Sequence, residues 1–188
     1  MQKKSITEIK RFIREQTGCG DTLLLTLDDG SVSKAYDFEL CVHKEGQHYV
    51  GAPQYGLHEA ILCLAGKSII FAVPATALAG STVKDKIGSI YNMKVPDLSS
   101  LCERAGFVVV VDAEDGNAVV VIPAGQIVCH YTASAGEAKL VRWSFYGGPV
   151  DLKTTIHMQQ EVAKAYPAQN TDMMQALHVL CTATASEE

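Results

Sequence analysis

The fold is decided near the middle of the chain by Phe107-Val-Val-Val-Val111, Asp112-Ala-Glu-Asp-Gly-Asn117 and Ala118-Val-Val-Val-Ile122. Two short β-branched runs that flank an acidic, glycine-containing turn predict a β-hairpin. Runs that are apolar at every position, rather than at every second one, are typical of strands covered on both faces. We therefore expect this hairpin to lie inside the fold, with a further layer of structure on each side.

The rest of the chain predicts a body rich in strands, with helices at both ends. Apolar residues at helical spacing predict an N-terminal helical segment over 5–16, and strand patterns fill a sheet-rich body over 22–146. After the breaker Gly147-Gly148-Pro149, a C-terminal helical pair is predicted over 151–183. This order predicts a single α+β domain, residues 1–188, in which helices pack on one largely antiparallel sheet.

Shorter elements are predicted inside the body. Residues 57–65 predict a short helix, and strands are expected over 68–73, 126–132 and 138–146. A further short helix should begin near Asp97 and end at Gly106, because aspartate is a good N-cap and glycine a good C-cap.

A second pattern is a clean alternation that begins at Tyr36. Apolar side chains point to one face of this strand and polar ones to the other: Tyr36, Phe38, Leu40 and Val42 against Asp37, Glu39, Cys41 and His43. Alternation of this kind is typical of a sheet with one face in water. We therefore expect the polar set to be exposed and the apolar set to face the core.

The strongest candidate for a metal site is the set Cys41, His43 and His48. Cys41 and His43 share a face of their strand, and a four-residue loop returns the chain so that His48 would lie across a hairpin from His43. Thiolate and imidazole, with Glu39 nearby, are ligands that suit Zn²⁺. The spacing is not diagnostic and an exposed polar face accounts for it equally, so no cofactor and no catalytic set are predicted.

Charge is distributed unevenly along the chain. The formal net charge of the 188 residues is −5, which argues against a protein that coats nucleic acid over its whole surface. Residues 1–14 contain five cations against the single anion Glu8, a charge of +4 that leaves −9 for the other residues. The cations include Lys4, Lys10, Arg11 and Arg14, and they could form an arm for an acidic partner such as nucleic acid, although a solvated helix face is favoured.

The six cysteines and the hydropathy profile predict a cytoplasmic protein that does not enter a membrane. No cysteine pair has C-x-x-C spacing and the start of the chain lacks the apolar segment of a secretory signal, so reduced thiols are expected. Residues 60–80 carry Lys67 as their only formal charge, a length that could cross a bilayer. Gly66 and Pro74 interrupt this stretch, which favours buried secondary structure instead.

The last predicted strand carries a candidate subunit interface. Trp143, the only tryptophan, alternates in phase with Val141 and Phe145, which favours core packing, whereas Arg142 and Tyr146 should point outward. At a sheet edge the group Arg142, Trp143, Phe145 and Tyr146 would instead form a contact between subunits, where aromatic residues and arginine are enriched.

Three functional hypotheses follow from these observations. The first is a non-enzymatic structural or scaffold subunit that forms coat-like or filament-like homo-oligomers; long β-branched strands and a mean hydropathy of +0.09 favour it. The second is a small thiol- or metal-dependent hydrolase or transferase, in which Cys63 or Cys129 would be the candidate nucleophile. The third is a module that binds a small molecule in a pocket beside the sheet.

The basic arm gives a first testable prediction. If it binds phosphates or carboxylates, association should weaken steeply with salt, because neutralised phosphates release counterions. The triple variant Lys10→Gln, Arg11→Gln, Arg14→Gln should then lose binding without unfolding, since exposed charges contribute little to stability. Binding of a DNA duplex and light scattering, each followed across a salt series, measure the effect. An unchanged salt response in the variant would identify the arm as an ordinary solvated helix.

Overall fold

The computed structural model describes residues 11, 24–26, 32–34, 39–52, 56–115, 119–145, 152–169, 174–175, 178–179 and 182. The predicted N-terminal helix therefore lies outside the described residues, apart from Arg11, which is helical. Lys4, Lys10 and Arg14 fall outside them as well, and so does Tyr146. The partner role of the arm and the extent of the single domain stay predictions.

The described residues form ten strands and three α-helices. The strands are β1 Leu24–Thr26, β2 Val32–Lys34, β3 Glu39–Lys44, β4 His48–Gly51, β5 His58–Ala65, β6 Lys67–Pro74, β7 Phe107–Asp112, β8 Val119–Ile122, β9 Gln126–Thr132 and β10 Glu137–Phe145. The helices are α1 Val83–Tyr91, α2 Val95–Ala105 and α3 Leu152–Ala165. The first two strands pair only with each other, and the other eight form two sheets.

Both sheets are four-stranded and antiparallel, with the orders β3-β10-β5-β8 and β4-β9-β6-β7. We call them the first and the second sheet. The pairs β3·β10, β4·β9, β5·β8 and β6·β7 are nested, as if one long hairpin had been folded over on itself. Eight strands arranged in two sheets by such pairing form a jelly roll. The prediction of an α+β domain with one sheet is therefore wrong.

The central hairpin prediction is also wrong, although both of its strands exist. Phe107–Asp112 pairs with β6 in the second sheet, whereas Val119–Ile122 pairs with β5 in the first. The two strands therefore belong to different sheets. Val108 and Val110 are 40% and 51% exposed, so β7 is covered on one face only. A run of valines fits an edge strand as well as a buried one, and sequence periodicity does not separate the two cases.

Residues 57–65 form a strand rather than the predicted helix. β5 lies between β10 and β8, and six of its eight residues are buried, which places structure over both of its faces. A short apolar run of this length has no periodicity that distinguishes strand from helix. The predicted strands 68–73 and 126–132 are confirmed as β6 and β9, and the predicted strand 138–146 is confirmed as β10 as far as Phe145.

The observed helices α2 and α3 lie close to the positions predicted from the sequence. Gly106 ends α2 as expected, although the N-cap is Lys94 and not Asp97. The helix predicted from 151 to 165 is α3, and the described residues of the helix that should follow it are helical. None of the helices within the described part of the chain is long and apolar enough to span a membrane.

Two apolar cores result from this arrangement. One fills the space between the sheets and includes Ile61, Ile70, Val128 and Leu140. The other lies on the outer face of the second sheet, where Phe71, Ile127 and Cys129 meet residues of all three helices, such as Val83, Leu98 and Met158. Both faces of β9 and β6, the central strands of the second sheet, are therefore buried.

The first strand of the jelly roll reverses the orientation expected from its pattern. Leu40 and Val42 are 62% and 50% exposed, whereas Cys41 and His43 on the opposite face are half-buried. Cys41 pairs in register with Leu140, which belongs to the core between the sheets. The polar face of β3 thus points into the sandwich.

Gly88 in α1 and Gly106 at the end of α2 provide a matched test of stability. An ideal Cβ on Gly106 would collide with the carbonyl oxygen of Ala72, whereas a Cβ on Gly88 in α1 would meet nothing within 4 Å. Gly106→Ala should therefore lower the free energy of unfolding by about 2 kcal/mol. Gly88→Ala should raise it by roughly 0.5–1 kcal/mol, because alanine has the higher helix propensity. Urea unfolding followed by circular dichroism measures both, and equal effects would contradict this packing of α2.

Candidate functional site

Polar side chains collect at one place between the two sheets. We call Glu59, Arg142, His43, His130 and Tyr49 the interior cluster. Glu59 on β5, Arg142 on β10 and His43 on β3 come from the inner face of the first sheet. Tyr49 on β4 and His130 on β9 stand opposite each other in register in the second sheet. Both sheets therefore contribute to one site.

An ion pair between Arg142 and Glu59 forms the centre of the cluster, with Arg142 Nε donating to Glu59 Oε1. The side chains are only 11% and 3% exposed, so both charges are largely removed from water. Burial raises the pKa of Glu59, against the opposing effect of the Arg142 charge. Burial alone would lower the pKa of Arg142, but the charge and hydrogen bond of Glu59 raise it overall.

The two histidines of the cluster are held in their neutral form. Their rings are nearly parallel, at an interplanar angle of 5° and a centroid distance of 6.3 Å. Burial is the main cause that lowers the pKa of His130, and together with the charge of Arg142 and the neighbouring His43 it brings this pKa to about 3. Burial and Arg142 also lower the pKa of His43. Near neutral pH each ring therefore offers one N–H donor and one acceptor nitrogen.

Tyr49 covers the solvent side of the cluster. Its side chain is 40% exposed, and the guanidinium carbon of Arg142 lies 5.2 Å from the centre of its ring. The ring of His130 is tilted against it at 6.1 Å. A Cβ on Gly51 would stand 2.5 Å from Tyr49 Oη, so the glycine leaves room for the tyrosine to lie along its own strand.

Several buried atoms of the cluster have no hydrogen-bond partner in the described part of the protein. They are His43 Nε2, both ring nitrogens of His130, and Glu59 Oε2. Buried polar groups are almost always satisfied, because an unmade hydrogen bond costs about 1–3 kcal/mol. Four such atoms in one cluster indicate that something polar completes the site.

The residues predicted to bind a metal are not brought together. Cys41 and His43 lie on β3 of the first sheet, whereas His48 lies on β4 of the second and packs against Tyr91, with ring centroids 5.0 Å apart. Among the described residues, no group of three His, Cys, Asp or Glu side chains is spaced to hold a metal ion. Arg142 also places a permanent positive charge beside both histidines of the interior cluster, so that cluster does not fit a cation.

The candidate nucleophiles are packing residues in this structure. Burial raises the pKa of the Cys63 thiol, which donates to the carbonyl oxygens of Ala65 and Gly66. Burial also raises the pKa of Cys129 to about 11. A reactive cysteine needs a lowered pKa, because the thiolate is the nucleophile.

The predicted interface residues lie largely inside the protein. Arg142 was expected to point outward but faces the interior and pairs with Glu59. Trp143 is 5% exposed, which agrees with the core-packing interpretation. The backbone of Phe145 ends β10, while its side chain and all of Tyr146 lie outside the described residues.

Sequence reasoning missed the centre of the site, although a signal was present. Glu59 and Arg142 are isolated charges of opposite sign, each within an otherwise apolar run. Charged residues are almost never fully buried unless they are paired. Two such charges in buried strands therefore predict an ion pair, but the helix assigned to residues 57–65 concealed the strand that carries Glu59.

Comparison with known proteins assigns no family. No family model matches the chain, and no curated protein matches it. Solved structures similar to it include a cupin domain of an XRE-family transcriptional regulator from Enterobacter cloacae, at 9% identity and a TM-score of 0.37 over 60% of this chain and 82% of that one. A cupin superfamily protein from Desulfitobacterium hafniense has 13% identity and a TM-score of 0.35, over 67% and 78%.

A third similar structure is hydroquinone 1,2-dioxygenase from a Sphingomonas species, at 14% identity and a TM-score of 0.37, over 60% of each chain. In sequence, Pro123-Ala-Gly125 followed by His130 matches the second motif of the cupin barrels poorly, because the histidine is displaced from the expected spacing. The paired His-x-His of their first motif is absent. The description of the fold therefore rests on the strand pairing of this chain.

The depressed pKa of His130 predicts how stability depends on pH. Below pH 6.5 the unfolded chain takes up a proton at this histidine, whereas the folded protein does so only near pH 3, so the free energy of unfolding falls over this window. Glu59 has the opposite effect on the free energy of unfolding. Its pKa is higher in the folded protein, so protonation of this carboxyl at low pH favours the folded state. Comparison with the variant His130→Gln isolates the contribution of this histidine to the pH dependence of stability. From pH 6.5 to 4 the variant should lose less stability than the parent protein, by up to about 1.4 kcal/mol per pH unit.

Urea unfolding at each pH measures this difference. Parallel stability curves for the two proteins would show that His130 is not held in a desolvated, neutral state.

Proposed function

We propose that this protein binds a small, uncharged, hydroxylated molecule, such as a sugar or polyol, in the interior cluster between its two sheets. The observation that carries the proposal is the set of buried atoms without a hydrogen-bond partner at His43, His130 and Glu59. A ligand with several hydroxyl groups can both donate to and accept from atoms of this kind. This is the third of the sequence-based hypotheses, with the proposed binding site between the two sheets instead of in a pocket beside one sheet.

The charge balance of the cluster supports an uncharged ligand. Arg142 and Glu59 neutralise each other, and both histidines are neutral near pH 7. A charged ligand would have to leave water for a site that offers no net opposite charge, which is costly in a buried environment. A neutral ligand avoids that cost.

The hydrogen-bonding capacity of the cluster supports a ligand with several hydroxyl groups. Glu59 Oε2 can only accept while it is ionised, whereas each neutral imidazole offers one donor and one acceptor. A hydroxyl group donates one hydrogen bond and accepts others, so a polyol can match this mixed set. The exposed ring of Tyr49 adds an apolar face at the entrance, against which a sugar ring could lie.

The other hypotheses receive less support. Self-association has none from the described residues, because Arg142 and Trp143 of the predicted interface are turned inward or buried. Oligomeric state, binding of nucleic acid by the N-terminal arm and a cytoplasmic location remain predictions. Thiol catalysis is disfavoured by the raised pKa values of Cys63 and Cys129.

A double variant tests the proposal without unfolding the protein. Isothermal titration calorimetry with glycerol, D-ribose, D-glucose and myo-inositol should reveal saturable binding of at least one of them to the parent protein. Glu59→Leu with Arg142→Met should abolish it, because the polar centre is gone. Stability should change by less than about 2 kcal/mol, since well-packed apolar residues can replace a buried ion pair. Arg142→Met alone should cost about 3–5 kcal/mol, because it leaves Glu59 buried and unpaired.

The matched control is Lys139→Met, which removes a half-exposed charge paired with Glu137 on the outer side of the same strand. It should leave binding unchanged. Absence of binding to every member of the panel, or binding that survives in the double variant, would contradict the proposed function.

A further inference from the structure

A pocket of about 100 Å³ lies on the other face of the second sheet. Its floor includes Phe71 and Cys129 from β6 and β9, and its walls include Ile90 of α1 and Leu98 of α2. These four residues belong to the core between the second sheet and the helices, and the pocket is a gap in that core. It is separate from the interior cluster, because successive residues of a strand point to opposite faces.

The lining of this pocket is apolar and aromatic, and none of the residues that line it is Asp, Glu, Lys or Arg. Cys129 is its most polar floor residue, and burial raises the pKa of that thiol to about 11, so it is uncharged near neutral pH. A charged ligand would therefore lose its hydration without gaining an opposite charge. The lining therefore favours a ligand whose buried part is apolar.

The entrance has a different chemistry from the floor. His48 and Tyr91 pack against each other at its edge, with ring centroids 5.0 Å apart and an interplanar angle of 48°. Tyr131 from β9 also lines the pocket, and all three side chains carry a group that can hydrogen-bond. A ligand with an apolar ring inside and one polar substituent at the entrance would match both regions.

The volume limits the ligand to a single ring. Engineered apolar cavities of about 150 Å³ bind benzene or xenon, and this pocket is somewhat smaller but open at one side. Aromatic rings also gain from edge-to-face contacts with aromatic neighbours, of which the pocket has Phe71, Tyr91 and Tyr131.

We infer that the protein has a second binding site, formed by α1, α2 and the outer face of the second sheet, for an uncharged single-ring aromatic molecule that carries a hydroxyl group. The ring occupies the gap above Phe71 and Cys129, and the hydroxyl remains at the entrance beside His48 and Tyr131. The inference does not depend on the sugar or polyol site between the sheets.

Phenol is the probe for the test, added to the ¹⁵N-labelled full chain and followed by ¹H–¹⁵N correlation spectra. The amide signals of Ile90, Leu98 and Cys129 should shift saturably, with half-saturation on the order of 1 mM, as expected for a ligand of so few atoms. Cyclohexanol should bind more weakly because it lacks the aromatic ring, and benzoate should not bind because it is charged.

Two variants locate the site. Val95 lines the pocket and is 50% exposed, so Val95→Phe can fill the entrance with little effect on folding. It should weaken phenol binding about tenfold or more. Tyr91→Leu, at a position 59% exposed, should weaken it as well. The control Val108→Phe enlarges a valine on β7 that is 40% exposed and does not line the pocket, and it should leave binding unchanged.

Shifts that do not saturate, or phenol affinity that Val95→Phe leaves unchanged, would overturn the inference. Both results are independent of the interior cluster, because neither phenol nor these substitutions involve Glu59 or Arg142.

Discussion

The buried ion pair between Glu59 and Arg142 is the interaction on which the interior of this protein depends. It joins two neighbouring strands of the first sheet, and it introduces charge beside the apolar core between the sheets. The positive charge of Arg142 also helps to keep His43 and His130 neutral and attracts the ring of Tyr49. The pair therefore determines how the side chains around it are arranged, and it contributes little more to the free energy of unfolding than apolar residues would. Replacing a buried ion pair by well-packed apolar residues often leaves stability unchanged or raises it.

Local features of the fold were predictable from sequence, whereas the arrangement of the strands was not. Gly106 ends a helix and β9 follows its expected bounds, because capping and strand propensity act over a few residues. The valine runs around residues 107–122 predict strands correctly but not their partners. A hairpin and a crossing between sheets need the same turn residues and the same β-branched side chains, so tertiary pairing alone decides between them.

The candidate site illustrates a second limit of sequence patterns. Alternation along β3 correctly separates Leu40 and Val42 from Cys41 and His43, but it does not say which face points inward. The usual assumption that apolar side chains face the core is wrong here, because the inner side of β3 meets the charge of Arg142 as well as the apolar core. Positions where such local rules fail are expected to be functional or strained sites.

The nested pairing of the strands has a consequence for how the protein folds. β3 and β10 are the first and last strands of the jelly roll, yet they are neighbours, so residues 93 to 103 positions apart in sequence must meet, from Lys44 with Glu137 to Glu39 with Arg142. Topologies dominated by such distant pairings fold slowly, in milliseconds to seconds for small domains. His43 and Arg142 lie on these two strands, so the interior cluster is complete only when this distant pairing has formed. Glu59 likewise meets Arg142 only through the pairing of β5 with β10.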